Sequence, residues 1–166
     1  MGRFKNNVLI SDIMIVRKAT KKDIPSLEKI DSFGNQLNKY SGLDRLDPEY
    51  TEEGDRSYYG GFISGKKKWC LLSEESGNIL GFILFEVKKR AEYFKIKKVG
   101  RIELLFVHKD ARKKGVSKLL MEKAREILKK EKIKYLELSV HCDNPARRVW
   151  EKHGFKEYRV DMWKRL

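Results

Sequence analysis

Apolar residues recur at three- and four-residue spacing between positions 115 and 130, and this period predicts an amphipathic helix. Its apolar face carries Val116, Leu119, Leu120, Ala124, Ile127 and Leu128. A shorter helix is predicted at Pro145–Lys152. Two further helices are predicted near the N-terminus, one after the capping sequence Thr20–Asp23 and one starting at Asp47-Pro48-Glu49.

Shorter apolar runs, bounded by turn residues, predict strands at 13–16, 69–73, 79–87, 101–108, 135–140 and 155–163. The resulting order is β-α-α-β-β-β-α-β-α-β. It predicts an α/β (α+β) fold with one central mixed, mostly antiparallel sheet of about six to seven strands and about four helices on both faces. Residues 1–12 are expected to be an N-terminal extension, and residues 13–166 a single domain.

The composition limits the class of protein. A chain of 166 residues is long enough for one domain with its own core. No apolar run approaches the roughly 20 residues that span a bilayer, and residues 1–10 do not resemble a signal peptide. We therefore expect a cytoplasmic protein without a membrane partner. The two cysteines and three histidines form no ligand pattern, so no metal site is expected.

The charge favours polyanionic partners, because 38 lysines and arginines face 24 acidic residues and give a net charge of +14. No aromatic-interleaved RNA motif or recognition helix accompanies it, so the sequence argues against nucleic acid and favours a phosphate-bearing cofactor. Six of the acids lie between Asp44 and Ser57. This acidic segment indicates attraction for a cationic substrate, or else an exposed helix with ordinary N-terminal acids.

The segment 102–118 carries the candidate chemistry. A buried strand, Ile102–Val107, runs into a basic turn that contains Gly115 and opens directly into the long helix. Free N–H groups at a helix start and the positive end of its dipole favour an anion, and glycine lets a ligand approach the backbone. The alternative is a basic turn that is merely solvated.

Three motifs in order resemble those of the GNAT superfamily of N-acetyltransferases. Arg112-x-x-Gly115-x-Ser117 resembles the R/Q-x-x-G-x-G/A signature, and Asp143-Asn144-Pro145-Ala146 is similar to N-x-x-A. Trp150-Glu151-Lys152 with Gly154-Phe155 resembles Y-E-K-x-G-F. The resemblance covers nearly the whole chain, from Ile15 to Met162.

This resemblance implies acetyl-CoA as cofactor and an amine as acetyl acceptor. Arg112 would border the pyrophosphate, and the backbone N–H groups of the following turn would hold it, at Lys113, Lys114, Gly115, Val116, Ser117 and Lys118. The backbone of Leu105, Phe106 and Val107 would pair with the pantetheine arm like an added strand. One N–H there, with Leu105 as the candidate, would polarise the thioester carbonyl.

The chain departs from the family pattern at three places. Ser117 replaces a Gly or Ala but is still small. Asp143 stands where the family has Asn, and we favour the neighbouring Asn144 as the cofactor contact. Trp150 occupies the slot of the Tyr that is often proposed as general acid, and an indole N–H donates a hydrogen bond but cannot usefully give up its proton. Trp150 is therefore either a hydrogen-bond donor at the cofactor or a packing residue.

Glu103 is the candidate base. The string Ile102-Glu103-x-Leu105-Phe106-Val107 is similar to a pattern of diamine and related small-amine acetyltransferases, in which that Glu faces the acceptor. The alternative is a structural carboxylate paired with Arg101 or a lysine. Glu137 and Ser139 alternate on a strand expected to face Glu103, and His141 is a further candidate. Tyr58, Tyr59 and Tyr158 are candidates for the acceptor pocket, or else core residues.

The sequence thus predicts an acetyl-CoA-dependent N-acetyltransferase that acts on a small cationic amine by direct attack in a ternary complex. A protein N-terminal or lysine acetyltransferase is the alternative enzyme. A non-catalytic module that binds CoA or nucleic acid is the alternative of another class. The sequence leaves open whether the chain forms a homodimer.

Overall fold

The computed structural model describes residues 14–30, 52–164 and 166. The strands are β1 (Ile15–Lys18), β2 (Lys68–Glu75), β3 (Asn78–Lys89), β4 (Lys98–Val107) and β5 (Leu136–Glu137). The helices are α1 (Ile24–Ile30), α2 (Glu52–Ser64), α3 (Val116–Lys130) and α4 (Arg147–Lys152), with 3₁₀ turns at Lys21–Asp23 and Lys109–Ala111. The expected N-terminal extension, the helix start at Asp47 and most of the acidic segment lie outside the described residues.

The sheet is mixed and mostly antiparallel, as predicted. Its strand order is β1-β2-β3-β4-β5, and the first three pairs are antiparallel. β5 alone runs parallel to its neighbour, and it pairs with β4 only at Gly100–Leu136 and Arg101–Glu137. The sheet is therefore continuous from β1 to β4 and barely extended by β5.

Helices cover both faces of the sheet, as the sequence predicts. On one face the apolar stripe of α3 packs against Leu71, Ile83, Phe85 and Ile102. On the other face α1 and α2 contribute Leu27, Tyr59 and Phe62, which cover Cys70, Leu72, Phe82, Leu84 and Phe106. The apolar runs in β2 and β3 are thus continuous because both of their faces are buried. No helix in the described ranges is long and apolar enough to cross a membrane.

The predicted final strand at 155–163 is wrong, since the structure gives these residues no strand. The predicted strand at 135–140 is reduced to β5, so the described part of the sheet has five strands rather than six or seven. Tyr158, Val160 and Met162 are exposed, the last at 92%. The alternating apolar pattern is present, but β5 forms only two residue pairs and offers no length of edge for another strand.

The end of α3 has an unusual residue at its glycine position. The N–H of Ile133 bonds to the carbonyl of Leu128 at 3.0 Å, and the N–H of Lys132 bonds to that of Lys129 at 2.9 Å. These two bonds define a Schellman motif, whose left-handed residue is usually glycine. Here that residue is Lys132, with φ of 60°.

An arginine shared between two carboxylates ties β1 to its surroundings. The Arg17 guanidinium donates to Asp23 at 2.8 and 2.9 Å and to Glu74 at 2.8 Å. The hydrogen bonds from Arg17 hold the pKa of Asp23 well below its usual range. This network joins β1 to β2 near one edge of the sheet, with β3 between it and β4.

Candidate active site

Glu103 occupies a β-bulge. Leu104 pairs with Leu84 and Ile102 pairs with Phe85, so Glu103 is an extra residue with no counterpart on β3. The packing agrees, because Ile102 belongs to the core under α3 whereas Leu104 packs against the core on the other face. A bulge bends its strand and re-aims a side chain. The side chain of Glu103 therefore does not follow the alternation between the two faces of the sheet that a regular strand shows.

The open edge of β4 beside this bulge is the candidate cleft. β5 ends at Glu137, while β4 continues for six residues past its last pairing partner, Arg101. The edge of β4 from Glu103 to Val107 therefore has no partner strand among the described residues. Leu105 and Val107 pack towards α3 and Phe106 packs on the other face, where it stacks on Phe82. Because these three side chains pack against the core, the backbone N–H and C=O groups of Leu105, Phe106 and Val107 are the groups that line the cleft.

Arg101 lies between two carboxylates at the mouth of the cleft. Its Nε contacts Glu103 Oε1 at 2.8 Å and its NH1 contacts Glu137 Oε1 at 3.6 Å. Arg101 also donates to Ser139 Oγ at 3.1 Å, and the Tyr158 hydroxyl donates to Glu137 at 3.0 Å. This hydrogen bond raises the pKa of Tyr158. The structure thus brings Glu103, Glu137, Ser139 and Tyr158 together around Arg101, with Glu103 paired to Arg101 as the alternative interpretation expects. Tyr58 and Tyr59 instead pack in the core under α2.

The basic turn has the geometry of an anion site. Arg112 is extended, Lys113 has φ of 64°, and Gly115 has φ of 86° at the start of α3. The first helical bond in this region joins the N–H of Leu119 to the carbonyl of Gly115 at 3.0 Å. Among the described residues, the six N–H groups from Lys113 to Lys118 donate to no backbone carbonyl outside the helix.

The charges of the turn are accessible. Arg112, Lys113, Lys114 and Lys118 are exposed, Ser117 is half-buried and Val116 is buried in the core. The Arg112 Nε donates to the carbonyl of Val107 at 3.3 Å, which ties the turn to the open edge of β4. The predicted phosphate-binding and strand-pairing residues are therefore contiguous in space.

The C-terminal motif departs from the family pattern at Asp143-Asn144 and at Trp150, and these residues have different surroundings. Asn144 Oδ1 accepts from the N–H of Ala146 at 2.8 Å, so its side chain shapes the entry to α4. Its amide nitrogen has no partner within the described residues. The Asp143 side chain is largely exposed. Trp150 is half-buried, packs against the α3 core and meets Phe155 edge-on at 5.6 Å, which supports a packing role.

Sequence reasoning missed Gly81. It pairs with Val107 on β4, and a Cβ built on it lies 2.5 Å from the carbonyl oxygen of Phe106 and 3.1 Å from Val116 Cγ1. Only glycine at this position lets the start of α3 and the end of β4 come this close to β3. A glycine inside an otherwise apolar strand was the available signal.

Comparisons with known proteins identify the family. A model of the acetyltransferase (GNAT) domain matches residues 40–163. An uncharacterized N-acetyltransferase from Archaeoglobus fulgidus is 32% identical over 139 residues, which cover 82% of this chain and 89% of that protein. This chain belongs to the GNAT acetyltransferase family.

Two solved structures share the fold. A "predicted acetyltransferase" from Clostridium acetobutylicum, solved with acetyl-CoA, has a TM-score of 0.72 and 19% identity, over 93% of this chain and 96% of that chain. An aminoglycoside N-acetyltransferase in complex with CoA has a TM-score of 0.74 and 16% identity, over 95% and 98%. The GNAT resemblance read from the sequence and the acetyltransferase class are confirmed. The individual site residues stay predictions.

Proposed function

We propose that this chain transfers the acetyl group of acetyl-CoA to the primary amine of a small cationic acceptor, by direct attack in a ternary complex. The observation that carries the proposal is the cluster of Arg101, Glu103 and Glu137 beside the unpaired edge of β4. The three side chains carry two negative charges and one positive charge, while Arg90 and Arg159 act on the neighbouring Tyr158. The two carboxylates offer an ammonium group acceptors at this point of a strongly basic protein.

The basic turn is the proposed site for the cofactor's pyrophosphate. Six backbone N–H groups and four exposed cations suit its charge. The open edge of β4 at Leu105, Phe106 and Val107 suits an extended pantetheine arm, which takes the place of a strand. The Asn144 amide and Trp150 border the same cofactor. The relatives solved with acetyl-CoA and with CoA support this assignment.

Two groups of this chain act on the reacting atoms. The Leu105 N–H polarises the thioester carbonyl as charge develops on its oxygen, which is the role of an oxyanion hole. Glu103 accepts the proton of the acceptor ammonium, directly or through one water, so that the neutral amine can attack. The leaving group is a thiolate, and the cysteine thiol, which it resembles, has a pKa of about 8.5. It leaves near neutral pH without a strong acid at the position of Trp150.

Pairing with Arg101 does not remove Glu103 from this role. Arg101 also contacts Glu137 and Ser139, so its charge is shared. An entering ammonium competes with Arg101 for Glu103, and the guanidinium keeps its other two partners. Arg101 is therefore a positioning residue that holds the carboxylate at the cleft mouth.

The test replaces Glu103 with glutamine. A positioned base contributes about 10²–10⁴-fold, so Glu103→Gln is expected to lower turnover by that factor with acetyl-CoA affinity nearly unchanged. The acidic limb of the pH–rate profile should flatten or move. Glu74→Gln is the matched control, because it removes one of two carboxylates around Arg17 at a distant edge of the sheet. It should lower the melting temperature without lowering turnover.

The opposite pattern would contradict the assignment. If Glu103→Gln loses stability like the control and keeps its full rate at every pH, Glu103 is only the structural partner of Arg101. The acceptor class is tested separately by thiol release with diamines, polyamines, amino-sugars and peptides that carry a free N-terminus or lysine. Faster turnover of the peptides would replace the small-amine proposal with the protein alternative.

A further inference from the structure

An open groove of about 560 Å³ lies at the end of α3 that is remote from the basic turn. It is lined by residues 95–98 at the start of β4, residues 130–135 after α3, and Lys67. The 15 residues of α3 separate it from Gly115, which at 1.5 Å per residue is roughly 22 Å. The groove is therefore a different place from the proposed cofactor site.

The groove is strongly positive. Seven of its eleven lining residues are lysines, against a single acid, Glu131. Lys67 contacts Glu131 at 2.5 Å and Lys97 contacts Glu92 at 3.5 Å. The other five form no ion pair within the described ranges: Lys95, Lys98, Lys130, Lys132 and Lys134. Five cations without an ion pair around one concavity attract a polyanion.

Two of the groove lysines stand where another residue would be better for the fold. Lys67 and Lys132 have φ of 58° and 60°, a conformation that favours glycine. Lys132 occupies the glycine position of the Schellman motif that ends α3. Strain retained at a residue points to a use for its side chain. Two cations of the groove therefore stand at positions where a side chain other than that of glycine costs conformational free energy.

Exposed aromatic rings accompany these lysines. Tyr135 lines the groove and is 55% exposed. Tyr93 is 84% exposed, packs against Phe94 with ring centroids 4.6 Å apart, and comes two residues before Lys95. Lysines along a groove with exposed rings beside them are the arrangement that binds single strands, because the cations meet phosphates and the rings stack on bases. Lysine is a point charge without the planar fork of arginine, which suits binding without sequence preference.

We propose that this groove binds single-stranded nucleic acid, with backbone phosphates along the lysines and bases on Tyr135 and Tyr93. The exposed rings beside the lysines favour stacked bases over the headgroups of an acidic membrane. The sequence argues against nucleic acid only because it holds no local motif. The groove escapes a search for such motifs because its lysines come from three separate segments that only the fold brings together.

The test measures binding of a fluorescent 20-nucleotide oligouridylate to the full chain by anisotropy at several salt concentrations. Five phosphate contacts give a slope of log affinity against log salt of about −3.5. In the double variant Lys98→Gln, Lys134→Gln the slope should fall to about −2, with affinity lower by roughly 20-fold at 0.1 M salt. The matched control Lys22→Gln, Lys29→Gln removes the same charge from exposed positions around α1 and should change affinity less than twofold.

A third variant separates binding from folding. Lys132→Gly removes one groove cation but places glycine at a left-handed position. It should raise the melting temperature while lowering oligonucleotide affinity about fivefold at 0.1 M salt. Loss of binding in a more stable protein cannot be a folding defect.

Four results would overturn the proposal. Equal losses in the groove and control variants would mean that only net charge matters. Displacement of the oligonucleotide by saturating CoA would place it at the basic turn. A duplex that binds as tightly as the single strand would remove the role of the aromatic rings. If binding to anionic vesicles requires Lys98 and Lys134 and binding to the oligonucleotide does not, the partner is a membrane.

Discussion

The sharpest test of the cofactor site is Gly115→Val. Gly115 has φ of 86°, and a Cβ built on it meets nothing within 4 Å in the described structure. The substitution therefore costs backbone strain and no steric clash within the protein. A left-handed conformation costs a non-glycine residue about 1–2 kcal/mol. For a chain of this length, that corresponds to a fall in melting temperature of roughly 2–8 °C.

The same change should affect the cofactor far more. In the proposed site, the new side chain would stand beside the six N–H groups that hold the pyrophosphate and would keep that group away from the backbone. We expect acetyl-CoA affinity, measured by calorimetry, to fall at least tenfold, or about 1.4 kcal/mol.

Gly77→Val provides a matched control for this measurement. Gly77 has φ of 80° in the turn between β2 and β3, and a Cβ there also meets nothing within 4 Å. The control should lose the same stability and keep its acetyl-CoA affinity. A folded Gly115→Val protein with the affinity of the control would refute the assignment of the basic turn as the pyrophosphate site.

Two further substitutions address neighbouring residues. Trp150→Phe should retain most turnover because the new ring still packs on Phe155, whereas Trp150→Ala should lose stability. A collapse of turnover in the Phe variant, with cofactor affinity preserved, would show that the indole N–H is needed. Gly81→Ala should destabilise the fold by about 1–3 kcal/mol, since its methyl group meets the rigid carbonyl of Phe106 at 2.5 Å. Chemical denaturation measures the loss, and an unchanged midpoint would mean that β4 moves aside freely.

Features that depend on one segment were predictable from the sequence. The helix predicted at 115–130 is α3 (Val116–Lys130), because one continuous segment with a clear apolar face needs no information from the rest of the chain. The motif around Gly115 was readable for the same reason, since a strand, a basic turn and a helix start follow one another directly.

Features that depend on pairing were not predictable. The bulge at Glu103 exists only in the register of β4 against β3, and no property of the β4 sequence alone places it. The exposed residues Val160 and Met162 alternate like a strand, but a strand also needs a partner edge. The contact between Arg101 and Glu103 depends on the same bulge, which is a tertiary property.

The edge of β4, which has no partner strand among the described residues, also matters for the protein before it binds any ligand. A row of free backbone groups along apolar residues is also a template for another copy of the chain, and exposed edges of this kind start aggregation. The Arg112 side chain, which bonds to the carbonyl of Val107 at 3.3 Å, covers one acceptor of that row. A ligand that lies along β4 closes the remainder. With the cofactor at its proposed place along β4, the protein without cofactor is the form whose edge is open to a second copy.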